Sequence, residues 1–193
     1  MCDCQFPNRS RRTCEAGLLA TRRSRFGASG FTLVELLIVI AIIAVIAALA
    51  IPGLLRARIS GNEASAIASI RAISTAQATY SRSCADGLYA KQLGDLGTAP
   101  SGQQPFLSPD LTVSATVTKS GYTFSLDGTA ASGTTCTGST DVASGFHSWA
   151  NPISSNQGVR YFGSNTTNTV WQSDTTLSGL TDGGTPSTGT PIQ

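Results

Sequence analysis

From Phe31 to Ile51 the chain is apolar at every position except Thr32 and Glu35. A helix rises 1.5 Å per residue, so about 21 residues reach about 31 Å, the thickness of a bilayer's hydrocarbon core. The run predicts a helix able to cross a membrane. Periodicity carries the helix further, because no turn cluster interrupts Leu54 to Tyr80 and the bulky residues recur at helical spacing. Ile59, Ala66, Ile70, Ile73 and Tyr80 fall on one narrow stripe with Ile67 at its flank, while Gly61, Ala64, Ala68, Ala72 and Thr75 lie opposite, beside Arg71. The bulky stripe is expected to bury against a folded domain, and the small face to admit another backbone. One long helix from about Thr32 to Tyr80 is therefore predicted. Pro52 and Gly53 should kink it or melt a turn, since proline cannot donate to the carbonyl of Ala48.

After Cys84 the pattern changes. Asp86-Gly87 and the stretch from Gly94 to Pro109 read as loop. Leu111 to Thr118 alternates with period two, and Lys119-Ser-Gly121 turns it back into Tyr122 to Leu126, predicting a hairpin. Phe146 to Ala150, Val159 to Gly163 and Thr169 to Gln172 are shorter strand candidates. Ser173 to Gln193 is a Thr/Gly/Ser/Pro-rich tail expected to be mobile. The fold class this implies is α+β: a long N-terminal helix packed on a small antiparallel sheet.

Composition sharpens the picture. Only 12% of the chain is charged, unlike a soluble cytosolic enzyme. The net charge of +2 conceals an asymmetry: Arg9, Arg11, Arg12, Arg22, Arg23 and Arg25 against Asp3 and Glu15 make the segment before Phe31 about +4, leaving about −2 for the rest. A basic head beside an apolar run is a membrane orientation signal that leaves the head in the cytoplasm. No aromatic residues interleave these arginines, which argues against a nucleic-acid-binding arm. Cys84 and Cys136 lie beyond the span on the oxidising side, where they are expected to pair as a disulfide. Cys2, Cys4 and Cys14 lack a fourth ligand and zinc spacing, so no metal is expected there. His147 reads as structural, and the acids Asp127, Asp141, Asp174 and Asp182 are too scattered for a cation loop. No catalytic constellation, cofactor or metal site is visible.

Three readings of the apolar segment compete. A secretory signal peptide would be cut after Ala48-Leu49-Ala50, but its apolar region is long, contains an acid, and has Pro52 just past the cut. Thr21 to Phe26 contains the paired arginines of a twin-arginine export signal, which normally precedes a weaker apolar region. The third reading rests on Gly30, an aromatic at Phe31, Glu35 five residues after the glycine, and Pro52 twenty-two after it. This combination closely resembles the class III signal of type IV pilins and of the pseudopilins of type II secretion. The stretch from Pro52 to Ser65 also looks like the helix of those proteins, and the resemblance covers Arg22 to Tyr80.

The resemblance implies a basic leader (1–30), a membrane-spanning and later filament-core helix (31–52), an amphipathic continuation (53–81), a globular β domain (82–172) and the flexible tail (173–193). A prepilin peptidase would cut between Gly30 and Phe31 and methylate the new amine of Phe31. A leader of this length is unusual for the family. With Met1 as the sole methionine, a shorter leader would need a non-methionine start at Leu18 or Leu19. The implied function is structural and not enzymatic: a pilus or pseudopilus subunit held in the bacterial inner membrane with its C terminus periplasmic, then polymerised. Its implied partners are copies of itself, the peptidase, the inner-membrane assembly platform, membrane lipid before assembly, and other minor pilins or pseudopilins, with no nucleic acid. The residues also leave open an exported binding module or adhesin cut after Ala50.

Glu35 is the key to the apolar segment. A carboxylate at the bilayer centre costs about 2.5–3.5 kcal/mol and marks a functional position. Beyond Phe31 no basic residue precedes Arg56, about 31 Å along a helix. The cation in reach is the amine that cleavage would create on Phe31, in the same chain or a neighbouring subunit, so Glu35 is assigned to subunit assembly. Asn165-Thr-Thr167 and nearby hydroxyls are noted as glycan positions.

Overall fold

A computed structural model describes residues 30–177 and 180–192. Cys2, Cys4, Cys14, the six leader arginines and the paired-arginine motif lie outside the described residues. The chain falls into two compact units, one ending at Ile43 and the other beginning at Ala44.

Helix α1 spans Leu33–Ser83, three residues longer at its C-terminal end than its periodicity predicts. It remains helical at Pro52 and Gly53, so the melted turn is absent. Proline removes one hydrogen bond from the ladder, and the long helix-forming runs on either side keep propagation favourable. The bulky stripe is buried as expected at Ala66, Ile70, Ile73 and Tyr80, while Gly61, Ala64, Ala68, Ala72 and Thr75 are exposed.

The second unit carries two sheets. Strands β1 (Tyr89–Ala90), β4 (Ala130–Ala131) and β5 (Val142–Ala143) form a small one with β5 central. Strands β2 (Thr116–Lys119), β3 (Tyr122–Asp127), β6 (His147–Pro152), β7 (Tyr161–Asn165), β8 (Val170–Ser173) and β9 (Thr190–Ile192) form an antiparallel sheet in that order. Neighbours in this sheet follow one another along the chain except at the step from β3 to β6, which encloses the small sheet's β4 and β5. Register places Val117, Phe124, Ala150 and Phe162 in one cross-sheet row, all buried. That row joins the stripe of α1 in a common core with Leu93, Leu96 and Leu111. Each large side chain buried this way contributes about 1.5–3 kcal/mol.

The β2–β3 hairpin turns on Ser120 and Gly121 at φ 48° and 75°. Both left-handed values belong to the two-residue turn whose twist matches the flanking strands. Other expectations need correction. The strand predicted over Leu111 to Thr118 survives only from Thr116. Pro109–Leu111 is a 3₁₀ turn that drives Leu111 into the core, while Val113 remains exposed, so the alternation before Thr116 never meets a partner strand. The loop assigned to Gly94 to Pro109 overlaps helix α2 (Leu93–Gly97), whose Leu93 and Leu96 are fully buried. The remaining strands lie one or two residues later than predicted. The tail is not free either: Val170 pairs with Ile192 and Gln172 with Thr190, and Leu177 and Leu180 are buried. Three well-spaced apolar residues are enough to anchor a segment whose composition otherwise reads as unstructured.

Candidate assembly site

Gly30 and Phe31 precede α1 in non-helical backbone, and Phe31 is 90% exposed. The helix then opens with a reciprocal cap. Thr32 donates to Glu35 Oε2 from its backbone N–H at 2.9 Å and from its hydroxyl at 2.8 Å, and Thr32 Oγ1 accepts the Glu35 N–H at 3.1 Å. This is the capping box, in which a Ser or Thr at the helix boundary and a Glu or Gln three residues on satisfy each other's amides. Thr32-Leu-Val-Glu35 is itself the sequence signature of such a box. The carboxylate therefore has a local role in starting the helix, and both bonds converge on one of its oxygens.

Beyond the cap, the large apolar side chains of α1 as far as Leu55 are between 42% and 80% exposed. This is the one described helix long and apolar enough to cross a membrane, and none of its most apolar window is buried among the described residues. Such a surface is stable only when lipid or other protein covers it.

The lower half of α1 is fixed to the sheet by polar contacts that sequence reasoning missed. Glu63 is nearly buried, and its Oε2 accepts from Arg160 Nε at 2.9 Å and Nη2 at 2.6 Å, while Oε1 accepts the backbone N–H groups of Val159 and Arg160. Arg160 also donates to Gln172 Oε1 at 2.6 Å and lies 5.5 Å from the Phe162 ring centroid. Asn62 donates to the carbonyl of Gln157 at 2.9 Å, one residue before this latch. The available signal was Glu63 itself, the sole acid between Glu35 and Asp86 and within the stripe read as core-facing. Burial pushes the Glu63 carboxyl up, but the Arg160 guanidinium and the two backbone amides outweigh it and hold the carboxyl below its ordinary range. Replacing Arg160 with alanine strands this carboxylate. Because the guanidinium is partly exposed, the expected loss is about 2 kcal/mol, less than for a fully buried pair, measured by denaturant unfolding.

Cys84 and Cys136 are joined by a disulfide with Cα atoms 4.8 Å apart, and the Cys136 N–H donates to the Cys84 carbonyl at 2.7 Å. This ties the last turn of α1 to the loop after β4. His147, expected to be structural, is not isolated. Its Nδ1 lies 2.7 Å from Asp182 Oδ1, and its ring stacks on Trp149 at 5.4 Å. Asp182 also accepts the Thr129 N–H at 2.8 Å. Burial pushes its carboxyl up, while His147 and Thr129 together pull it below the ordinary value. The lowered carboxyls of Glu63 and Asp182 each supply stability that is complete above the carboxylate range and is lost as pH falls through their folded values. The melting temperature should therefore be level near neutral pH and fall below about pH 4, with the Asp182→Asn variant losing less on acidification.

Asn165 does not suit a glycan. It is fully buried, and its amide donates to the carbonyls of Thr181 at 3.0 Å and Gly184 at 2.8 Å. Among the described residues no group of three or more His, Cys, Asp or Glu side chains gathers as a metal site would require.

The architecture is thus a long N-terminal apolar helix packed, through its lower half, on antiparallel sheets. A family model described as the prokaryotic N-terminal methylation motif matches residues 25–51, which include Gly30, Phe31 and Glu35. That motif is the hallmark of type IV pilins and pseudopilins, which are structural proteins, and it supports a pilin- or pseudopilin-like precursor. No curated protein and no solved structure matches the chain.

Proposed function

We propose that the chain is a structural subunit of a type IV pilus or pseudopilus. It enters the inner membrane as a precursor with its sheet domain on the periplasmic side. The peptidase then cuts after Gly30, the Phe31 amine is methylated, and an assembly platform polymerises the product. The observation that carries this reading is the methylation motif lying on an apolar helix that the other described residues leave uncovered. Before assembly, lipid covers that surface; afterwards, the equivalent helices of other copies do, together with those of any minor pilins or pseudopilins. The disulfide fits a domain that matures in an oxidising compartment.

The accessible backbone at Gly30 and Phe31 suits a peptidase that must bring its catalytic pair against the main chain. Mass spectrometry of the mature N terminus tests the reading. Methylated Phe31 is the expected product, whereas a terminus at Ile51 would make the protein an exported binding module and overturn the filament reading.

A further inference from the structure

Beyond the apolar segment the described cations divide into two groups. Lys91, Lys119 and Arg160 each have a carboxylate within 4.0 Å, from Asp141, Asp110 and Glu63. Arg56, Arg58, Arg71 and Arg82, all on α1, have none among the described residues. Arg71 and Arg82 are eleven residues apart, which places them within about 20° of one another on the helix and about 16 Å apart along it. Both line a single groove of about 640 Å³ between α1 and the β8–β9 end of the larger sheet.

The space between the two arginines is uncharged, with polar groups set among the apolar Ala78, Val170 and Ile192. Thr75 contributes from the helix, and Asn168 and Thr169 from the opposite wall. Asn168 sits at φ 56° in the β7–β8 turn, and its side-chain amide makes no hydrogen bond among the described residues. No acid and no aromatic side chain lines the groove. The groove thus combines two guanidinium groups from α1 with hydrogen-bonding groups and an apolar patch.

Guanidinium groups pair best with carboxylates and other planar or tetrahedral oxyanions, often through two hydrogen bonds. Their separation suits an extended chain with repeated negative charge better than one compact anion. Asn168 and Thr169 offer donors and acceptors for hydroxyl groups, and Thr75, whose hydroxyl already donates to the Arg71 carbonyl, offers an acceptor. Single-stranded nucleic acid would want aromatic platforms for its bases, and the groove has none. We infer that this groove binds an acidic polysaccharide, with uronate carboxylates on Arg71 and Arg82 and sugar hydroxyls on the polar groups between them. The inference goes beyond the filament reading and does not need assembly to be examined.

The test uses the full-length processed chain in detergent, with oligogalacturonate as the probe in biolayer interferometry. Wild-type protein should bind it, more weakly as salt rises, and should not bind a neutral dextran oligomer. Arg71→Ala and Arg82→Ala should each weaken binding by roughly tenfold or more, the loss of charge-assisted hydrogen bonds. Arg56→Ala removes the same charge outside the groove and should leave the affinity nearly unchanged. Circular dichroism melts check folding, and if either alanine variant melts early, Arg71→Gln and Arg82→Gln replace them with longer side chains. Absence of wild-type binding, equal binding of dextran, equal loss in Arg56→Ala, or tighter binding of an oligothymidylate of similar length would each overturn the inference.

Discussion

Replacing Glu35 with glutamine is expected to leave insertion and cleavage intact while abolishing filament formation. The choice of glutamine follows from the cap at the start of α1. Glutamine can take the place of glutamate in a capping box, so Glu35→Gln preserves the local start of the helix and removes only the charge. Glu35→Ala removes both. Thr32→Ala does the reverse, deleting the box at a cost of about 1 kcal/mol to the helix terminus and keeping the carboxylate. If the charge pairs with a subunit's Phe31 amine, Glu35→Gln and Glu35→Ala should fail alike and Thr32→Ala should still assemble. Stranding one partner of a buried ion pair costs about 3–5 kcal/mol, a factor of at least about 100 in subunit affinity. Electron microscopy of sheared or overexpressed filaments, with mass spectrometry of the N terminus in the same strains, separates assembly from processing. Normal filaments from Glu35→Gln would remove the carboxylate from the mechanism; failure of Thr32→Ala alone would make the cap, not the charge, the essential element.

Loss of the disulfide should have the largest effect on the sheet domain. Cys84 and Cys136 are 52 positions apart, and closing a loop of that length stabilises the folded chain by about 4 kcal/mol in the chain-entropy model. Small domains have about 5–15 kcal/mol in total, so the Cys84→Ala, Cys136→Ala double variant should melt far earlier and accumulate less. The effect should extend to the polar cluster beside the bond. Thr135 Oγ1 accepts the Ser139 N–H at 3.1 Å, and Ser139 donates to Asp95 of α2 at 3.3 Å, so the loop that Cys136 anchors also positions α2. Denaturant unfolding of the oxidised, reduced and double-variant proteins in detergent measures this. A difference under about 1 kcal/mol would show that the core alone fixes the loop.

Elements defined by neighbours in the chain could be read directly. The apolar run, the stripe of Ala66, Ile70, Ile73 and Tyr80, and the turn at Ser120-Gly121 each depend on a short-range period or on residues that tolerate a particular backbone conformation. Glu35 was visible for a related reason: one acid in an apolar run is conspicuous. Its capping role is equally local, written in the Thr32 partner three residues before it.

Contacts between distant segments were not legible. Nothing near Glu63 names Arg160, 97 positions away, as the group that neutralises it. His147 and Asp182 are 35 positions apart, and the tail containing Asp182 has the composition of a free segment. Leu111 to Thr118 shows the converse case, in which a good alternating pattern forms strand only where a neighbouring strand is present.

The sequence by itself determined the long helix, its division into an uncovered apolar half and a core-facing half, the N-terminal methylation motif that includes Gly30 and Phe31, and the α+β class. Tertiary structure decided the strand order, the Glu63–Arg160 latch, the anchoring of the tail by Leu177, Leu180 and β9, and the groove shared by Arg71 and Arg82. The reason is physical. Helical periodicity and turn preference are written within a few residues, whereas strand pairing and buried ion pairs depend on which distant segments reach the same place once the chain has closed on its core.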